Sequence, residues 1–409
     1  MLVGSLTSRL VNSLISIRIT NNRLTNNEIW RVMKSIRDVE VRNKRVFLRV
    51  DFNVPMKNGE IIDDNRIKAS ISTIQYLLDN DAKIIIGTHV GRPEGKVNTE
   101  FSNVPMAREL AKLLVQEVTV TDHVINDKIL LEKIESMQAK DIIVLGNLRF
   151  HAEEEANNHM FAKKLASYAE IYVNDAFAVS HRANASVDAI TSYLPSYSGL
   201  LLESEITSLS LLLKNPQPPF VMIIGGAKVK DKAGLIKTLA KKADRILIGG
   251  AVANTFLLAK GEEVGNSLVE KDMVEDCKKM LLELQDKIIL PVDTVKDGEG
   301  NDSKIMDIGH STIARFRSEI INAGSIFWNG NLGYTEDERF QEGTKAIAEA
   351  IEQNTFGVKV AAGGDTVGFL DQNNMQKSFS FVSTGGGAAL EFLAGEKLPG
   401  IEALDKSQI

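Results

Sequence analysis

"LPSYSGLLLESEITSLSLLLKNPQPP" (194–219) runs directly into "FVMIIGGAKVKDK" (220–232), and this junction decides the architecture. In the first stretch apolar residues recur at helical spacing until Pro216, Pro218 and Pro219 interrupt them. Proline lacks the N–H donor and clashes with the preceding turn, so the cluster stops a helix and resets the chain. The spacing predicts a connecting helix over 198–213. The second stretch is a buried strand that ends on a glycine pair.

The same unit recurs on both sides. Upstream, "RVFLRV" (45–50), "KIIIGT" (83–88), "DIIVLG" (141–146) and "EIYVN" (170–174) read as short buried strands. Between the first three, "IKASISTIQYLLDN" (67–80) and "MARELAKLL" (106–114) carry apolar residues at three- and four-residue spacing, as amphipathic helices do. Downstream come "FVMIIG" (220–225), "RILIGG" (245–250), "KIILPV" (287–292), "SIFWN" (325–329), "VKVAA" (358–362) and "SFVS" (380–383). Strands alternating with helices imply parallel sheets covered on both faces. The expected fold is therefore α/β: two doubly wound, Rossmann-like domains joined by a connecting helix. A chain of 409 residues suits this, because single cores stop growing at roughly 250–300 residues. The expected boundaries are an N-terminal extension 1–32, domains 33–197 and 214–391 flanking the helix, and a C-terminal segment 392–409.

Composition excludes several classes. A net charge of −6 gives no electrostatic reason to bind nucleic acid, and no apolar run reaches the length that spans a bilayer. The single cysteine, Cys277, excludes an internal disulfide and fits a reducing compartment. Residues 1–27 carry Arg9, Arg18, Arg23 and four serines, with no acidic residue before Glu28. They read either as a start upstream of a working Met33, with a cytoplasmic enzyme, or as a transit peptide to an organelle.

In open α/β sheets, ligands lie beyond the carboxyl ends of the strands. In the first half these positions hold Asp51, Asn53, His89, Arg92, Arg149 and Arg182, with Arg66 where "DDNRIK" leads into its helix. Arginine's planar fork binds carboxylate and phosphate in bidentate fashion, so four arginines on one rim make an anion basket. In the second half the corresponding loops are glycine-rich: "IIGGAKVKDK" (223–232), "IGGAVANTF" (248–256), "FWNGNLGYTE" (327–336), "AAGGDT" (361–366) and "STGGGAALEF" (383–392). Glycine lets backbone N–H groups approach phosphate oxygens, and a following helix N-terminus adds a favourable dipole. Lys228 and Lys232 supply mobile charge there, and Asp365 suits Mg²⁺ that takes one carboxylate and keeps its waters. No GxxxxGK[ST], GxGxxG or HRDxxxxN motif occurs, which argues against a P-loop enzyme, a dinucleotide oxidoreductase and a protein kinase.

Taken in order, "RVDFNVP", "GRP", "NLRF", "NDAF", "GGAKVKDK", "WNG", "GGDT", "STGGGA" and "LPG" resemble the phosphoglycerate kinase family over about residues 38–401. The resemblance implies that 3-phosphoglycerate binds Asp51, Asn53, Arg66, His89, Arg92, Arg149 and Arg182. It implies that Mg-nucleotide binds Gly225, Gly226, Ala227, Lys228, Lys232, Asn329, Glu336, Gly364, Asp365 and Thr366, with Glu336 on the ribose. Amides of the 363–366 and 385–387 loops (Gly363, Gly385, Gly386 and Gly387 among them) would assist. It further implies a monomer acting on small molecules, closure about the connecting helix, and a C-terminal segment returning to the first domain. In-line transfer asks for positioning and charge neutralisation rather than a nucleophile, and Arg66 and Lys228 are the expected catalytic residues. The chain departs from the family pattern at Gly146, Ala178, Val179, Ser180, Asn184, Ala251, Asn331 and Ala362. Two rivals follow: a related acyl-phosphate-forming kinase, and a catalytically silent nucleotide-binding homologue.

Overall fold

The computed structural model describes residues 33–122, 124–125 and 128–406; the expectations for 1–32 lie outside them. Two six-stranded sheets dominate. The first contains β1 (Arg45–Arg49), β2 (Lys83–Gly87), β3 (Thr119–Val120), β4 (Ile142–Val144), β5 (Ile171–Asn174) and β6 (Ser196–Ser198), in the order β3-β4-β2-β1-β5-β6. The second contains β7 (Phe220–Ile224), β8 (Arg245–Ile248), β9 (Ile288–Ile289), β10 (Ser325–Asn329), β11 (Val358–Ala362) and β12 (Phe381–Val382), ordered β9-β8-β7-β10-β11-β12. Every neighbouring pair in both sheets is parallel. Both faces are covered, which is why strands such as Phe220–Ile224 are continuously apolar and buried. The chain adopts the doubly wound α/β fold expected from its alternation. In each sheet the winding reverses once, between β1 and β5 and between β7 and β10, and a crevice opens at each reversal. Among the described residues no helix is long and apolar enough to cross a membrane.

The helix between the sheets spans Leu200–Lys214 and buries Leu202, Leu209 and Leu212. Its start is fixed from the first sheet. Asp175, just beyond β5, accepts from the N–H groups of Leu201 (2.9 Å) and Leu202 (3.2 Å). A side chain at Gly199 would place Cβ 2.1 Å from that carboxylate, so glycine is required there. Five residues into the helix, fully buried Glu205 is held from the second half. It accepts from Ser383 Oγ at 2.7 Å, Thr384 N at 2.7 Å and Thr384 Oγ1 at 2.8 Å. The C-terminal helix Pro399–Lys406 lies against the first half, where Gly400 N donates to Ser180 O at 2.9 Å.

Burial pushes both helix-clamping carboxyls, Asp175 and Glu205, up to about 7 from ordinary values of 3.8 and 4.5. Between those values the folded chain holds protons that the unfolded chain has released, so stability falls as pH rises through this window. Each group contributes a slope of up to about 1.4 kcal/mol per pH unit. The unfolding free energy from denaturant titrations should therefore drop between about pH 5 and pH 7, with a shallower slope in Glu205→Gln. An identical slope in that variant would mean that Glu205 is ionised throughout.

Candidate active site

The first crevice is built by the segments leaving β1, β2, β4 and β5. Asp51, 7% exposed, receives Arg66 in an ion pair from the second residue of the helix Asn65–Asp79. Asp51 Oδ1 also accepts from Asn53 N at 3.1 Å, an Asx turn that aims the Asn53 side chain. Asn53 Oδ1 accepts from Gly91 N at 2.9 Å, and Arg149 Nη1 donates to Gly91 O at 2.8 Å. Gly91, the residue preceding exposed Arg92, is thus held through both its N–H and its carbonyl by site residues. His89 is buried, with Nδ1 3.9 Å from Asp51. Burial, reinforced by Arg49, Arg149, Arg66 and Arg182, holds its pKa well below the usual imidazole range, so the ring is neutral at pH 7. Arg182 is exposed and donates from Nε to His181 Nε2 at 3.1 Å.

The structure adds Arg49, 1% exposed, with Nη2 3.4 Å from His89 Nδ1. Its signal was legible: a cation inside an otherwise apolar strand needs a buried partner.

The second crevice holds a cavity of about 390 Å³ lined by Gly226, Ala227, Lys228, Lys232, Asn329, Gly363, Gly364, Asp365, Thr366, Gly386 and Gly387. Backbone geometry explains its shape. Gly363, at φ 105°, turns the chain from β11 into the helix Gly364–Gln372, whose first N–H groups form a ready anion site. Thr366 Oγ1 accepts from Gly330 N at 2.7 Å, tying that helix to the end of β10. Asn329 Nδ2 donates to Ala362 O at 2.6 Å, tying β10 to β11. Lys228 is exposed. Lys232 is partly buried, and burial lowers its pKa against the opposing pull of Asp231 and Asp365.

Two of the glycines do other work. A Cβ on Gly225 would meet Asn331 O at 2.3 Å, and one on Gly385 would meet the Phe177 ring at 2.3 Å. Gly225 allows β7 and β10 to converge, and Gly385 packs against the first half of the chain.

A neighbouring cavity of about 310 Å³ shares Gly226, Ala227 and Asp365 with the first. Its walls are largely apolar, with Leu257, Leu268, Pro291, Met306 and Leu332 beside Tyr334, and Glu336 also lines it. Sequence reasoning singled out the 327–336 loop for Asn329 and Glu336 but missed these apolar walls, because they come from several separate segments and none carries a charge. Among the described residues no group of three or more His, Cys, Asp or Glu forms a metal cage.

Several departures from the family pattern are accommodated. Val179 packs with Ala176 and Val187, Ser180 Oγ donates to Ala176 O at 3.0 Å, and Asn331 Nδ2 donates to Thr335 Oγ1 at 2.7 Å.

An arginine basket at one reversal and a glycine-lined cleft with an apolar annex at the other are the parts of a phosphotransferase. The family model for phosphoglycerate kinase matches residues 36–396. A phosphoglycerate kinase of Coprothermobacter proteolyticus is 44% identical over 389 residues, covering 91% of this chain and 98% of its own length. One from Finegoldia magna is 43% identical over 393 residues, covering 91% and 99%. The solved phosphoglycerate kinase of Coxiella burnetii matches with a TM-score of 0.81 at 37% identity, over 91% of this chain and 98% of that one. That of Pyrococcus horikoshii matches with a TM-score of 0.83 at 34% identity, over 92% and 99%. The chain belongs to the phosphoglycerate kinase family.

Proposed function

We propose that this chain carries out reversible in-line phosphoryl transfer from 1,3-bisphosphoglycerate to ADP, giving 3-phosphoglycerate and ATP. One observation carries the division of labour. The two crevices lie at the two sheet reversals, and a single helix clamped by Asp175 and Glu205 runs between the sheets.

On this reading the basket holds the phosphoglycerate, with Arg92, Arg149 and Arg182 gripping its anionic groups. Asp51 orients Arg66 toward the transferring phosphoryl group, and neutral His89 offers a hydrogen bond without adding charge. The cleft holds the nucleotide phosphates against the 363–366 and 385–387 loops, with Asn329 beside them. Lys228 swings onto the transferring group while Lys232 stays with the nucleotide. The apolar annex takes the base, with Glu336 toward the ribose. The donor and acceptor must be brought to about 3–3.5 Å with water excluded, so the sheets close about the Leu200–Lys214 helix during turnover. The partners are these small molecules alone, and the chain acts as a cytoplasmic monomer.

Asp365 fits Mg²⁺: it is exposed at a helix mouth, lines both cavities, and is a single carboxylate of the kind this ion takes beside phosphate oxygens. When bound, the ion would neutralise charge on the nucleotide phosphates.

A coupled assay with ATP and 3-phosphoglycerate tests the reaction, and inactivity of the full chain would reject it. Asp365→Asn should weaken Mg-ADP binding by roughly 10-fold or more in calorimetry, with 3-phosphoglycerate affinity near normal. Equal losses for both ligands would remove Asp365 as the metal ligand.

A further inference from the structure

Beneath the basket lies a buried ionic knot that the proposed reaction leaves unused. Glu154, in the short turn Ala152–Glu155, is 0% exposed. A carboxylate there is costly unless it is paired and fully hydrogen-bonded. Its Oε2 accepts from Ser186 N at 2.9 Å, and its Oε1 accepts from Ser186 Oγ at 2.6 Å. That hydroxyl also accepts from Arg49 Nε at 2.7 Å, and Ser186 O accepts from Tyr172 OH at 2.8 Å. Every polar atom of Ser186 is therefore engaged. One residue earlier, Ala185 N donates to Glu154 O at 2.8 Å. Arg49 Nη2 lies 3.8 Å from Glu154 Oε1 and 3.4 Å from His89 Nδ1. The next residue in the turn, Glu155, pairs with Arg149 Nε at 3.2 Å.

Arg182 opens the segment that Ser186 closes. Its side chain is exposed and reaches its neighbour His181, while its backbone is held by Val179 O, which accepts from Arg182 N at 3.0 Å, and by Asn184 N, which donates to Arg182 O at 3.0 Å. The second of these bonds belongs to the segment that Glu154 fixes, so the place of Arg182 depends in part on that segment. We infer that Glu154 is a positioning residue for the basket: it fixes the 182–186 segment under Arg182 and holds Arg49 against His89. This rests on the assignment of the basket to 3-phosphoglycerate. Every contact of the knot given above lies in the first half of the chain, so its loss is felt on one substrate alone.

The test uses the full chain and three variants in steady-state kinetics. Glu154→Gln keeps the shape but removes the charge and one acceptor, while Ser186→Ala removes a single hydroxyl. KM for 3-phosphoglycerate should rise roughly 10-fold in the first and roughly 3-fold in the second, with KM for ATP within about twofold of the parent in both. A purely structural carboxylate would instead reduce the yield of active enzyme and leave both KM values unchanged. If Glu154→Gln does not fold, Ser186→Ala decides. A KM for 3-phosphoglycerate within about twofold of the parent in every folded variant of the pair overturns the inference. Arg182→Ala separates the two readings. If it raises that KM while the others do not, the basket stands and the role of Glu154 falls. If it too has no effect, the substrate assignment falls and the inference with it.

Discussion

Arg66→Ala should lower kcat by roughly 10- to 150-fold, the cost of one charged hydrogen bond, with a smaller rise in KM for 3-phosphoglycerate. Arg66 sits at the second position of its helix and is held by Asp51 while its side chain remains 34% exposed. A guanidinium fixed at one end and open at the other meets charge as it develops, which is the condition for lowering a barrier rather than tightening a ground state. Arg149 is built differently. Its side chain is 6% exposed and already bonds Gly91 O and Glu155, so it grips bound substrate. Arg149→Ala should act mainly on KM. Steady-state kinetics with the same split for both variants would abolish this distinction.

Gly330→Ala should damage the nucleotide half more than any surface change. Gly330 sits at φ 91°, where side chains are strained, and a Cβ there would lie 2.2 Å from the Gly225 carbonyl carbon and 2.7 Å from Gly226 N. These obstacles are backbone, so no rotamer relieves them. Gly330 N also donates to Thr366 Oγ1, so a shift would pull on the helix that opens the phosphate cleft. The expected destabilisation is about 3 kcal/mol or more, with ADP binding lost and 3-phosphoglycerate binding preserved in the folded fraction. Gly364→Ala is the control, since no atom lies within 4 Å of its Cβ position and its φ is unstrained. Denaturant melts should leave that variant within about 1 kcal/mol of the parent. Equal stability for the two variants would refute the account of Gly330.

The fold class was legible because its signals are local. Runs such as "SIFWN" and "VKVAA" match β10 and β11 residue for residue, since a strand buried on both faces is mostly apolar and its few polar positions, here Ser325, Asn329 and Lys359, must find buried hydrogen-bond partners. The glycine pairs at strand ends mark turns that need positive φ, and the chain obliges at Gly226, Gly250, Gly330 and Gly363. The arginines declared themselves by standing just past strands. The edge strands Thr119–Val120 and Ser196–Ser198 did not, because two or three residues at a sheet margin are set by their neighbour rather than by their own composition.

The sequence by itself therefore determined two wound sheets, a helix between them, a cationic rim and a glycine-rich rim, all from short-range constraints on backbone and burial. Tertiary structure alone decided which strands adjoin, and hence that the arginines and the glycines each meet at a reversal of their sheet. It also decided that Glu154 and Ser186, 32 residues apart, share one buried knot. The pairing of Glu205 with Thr384, 179 residues apart, belongs to the same class. No window of sequence carries such contacts, because the partner and the low dielectric that makes an unpaired charge costly exist only once distant segments have packed.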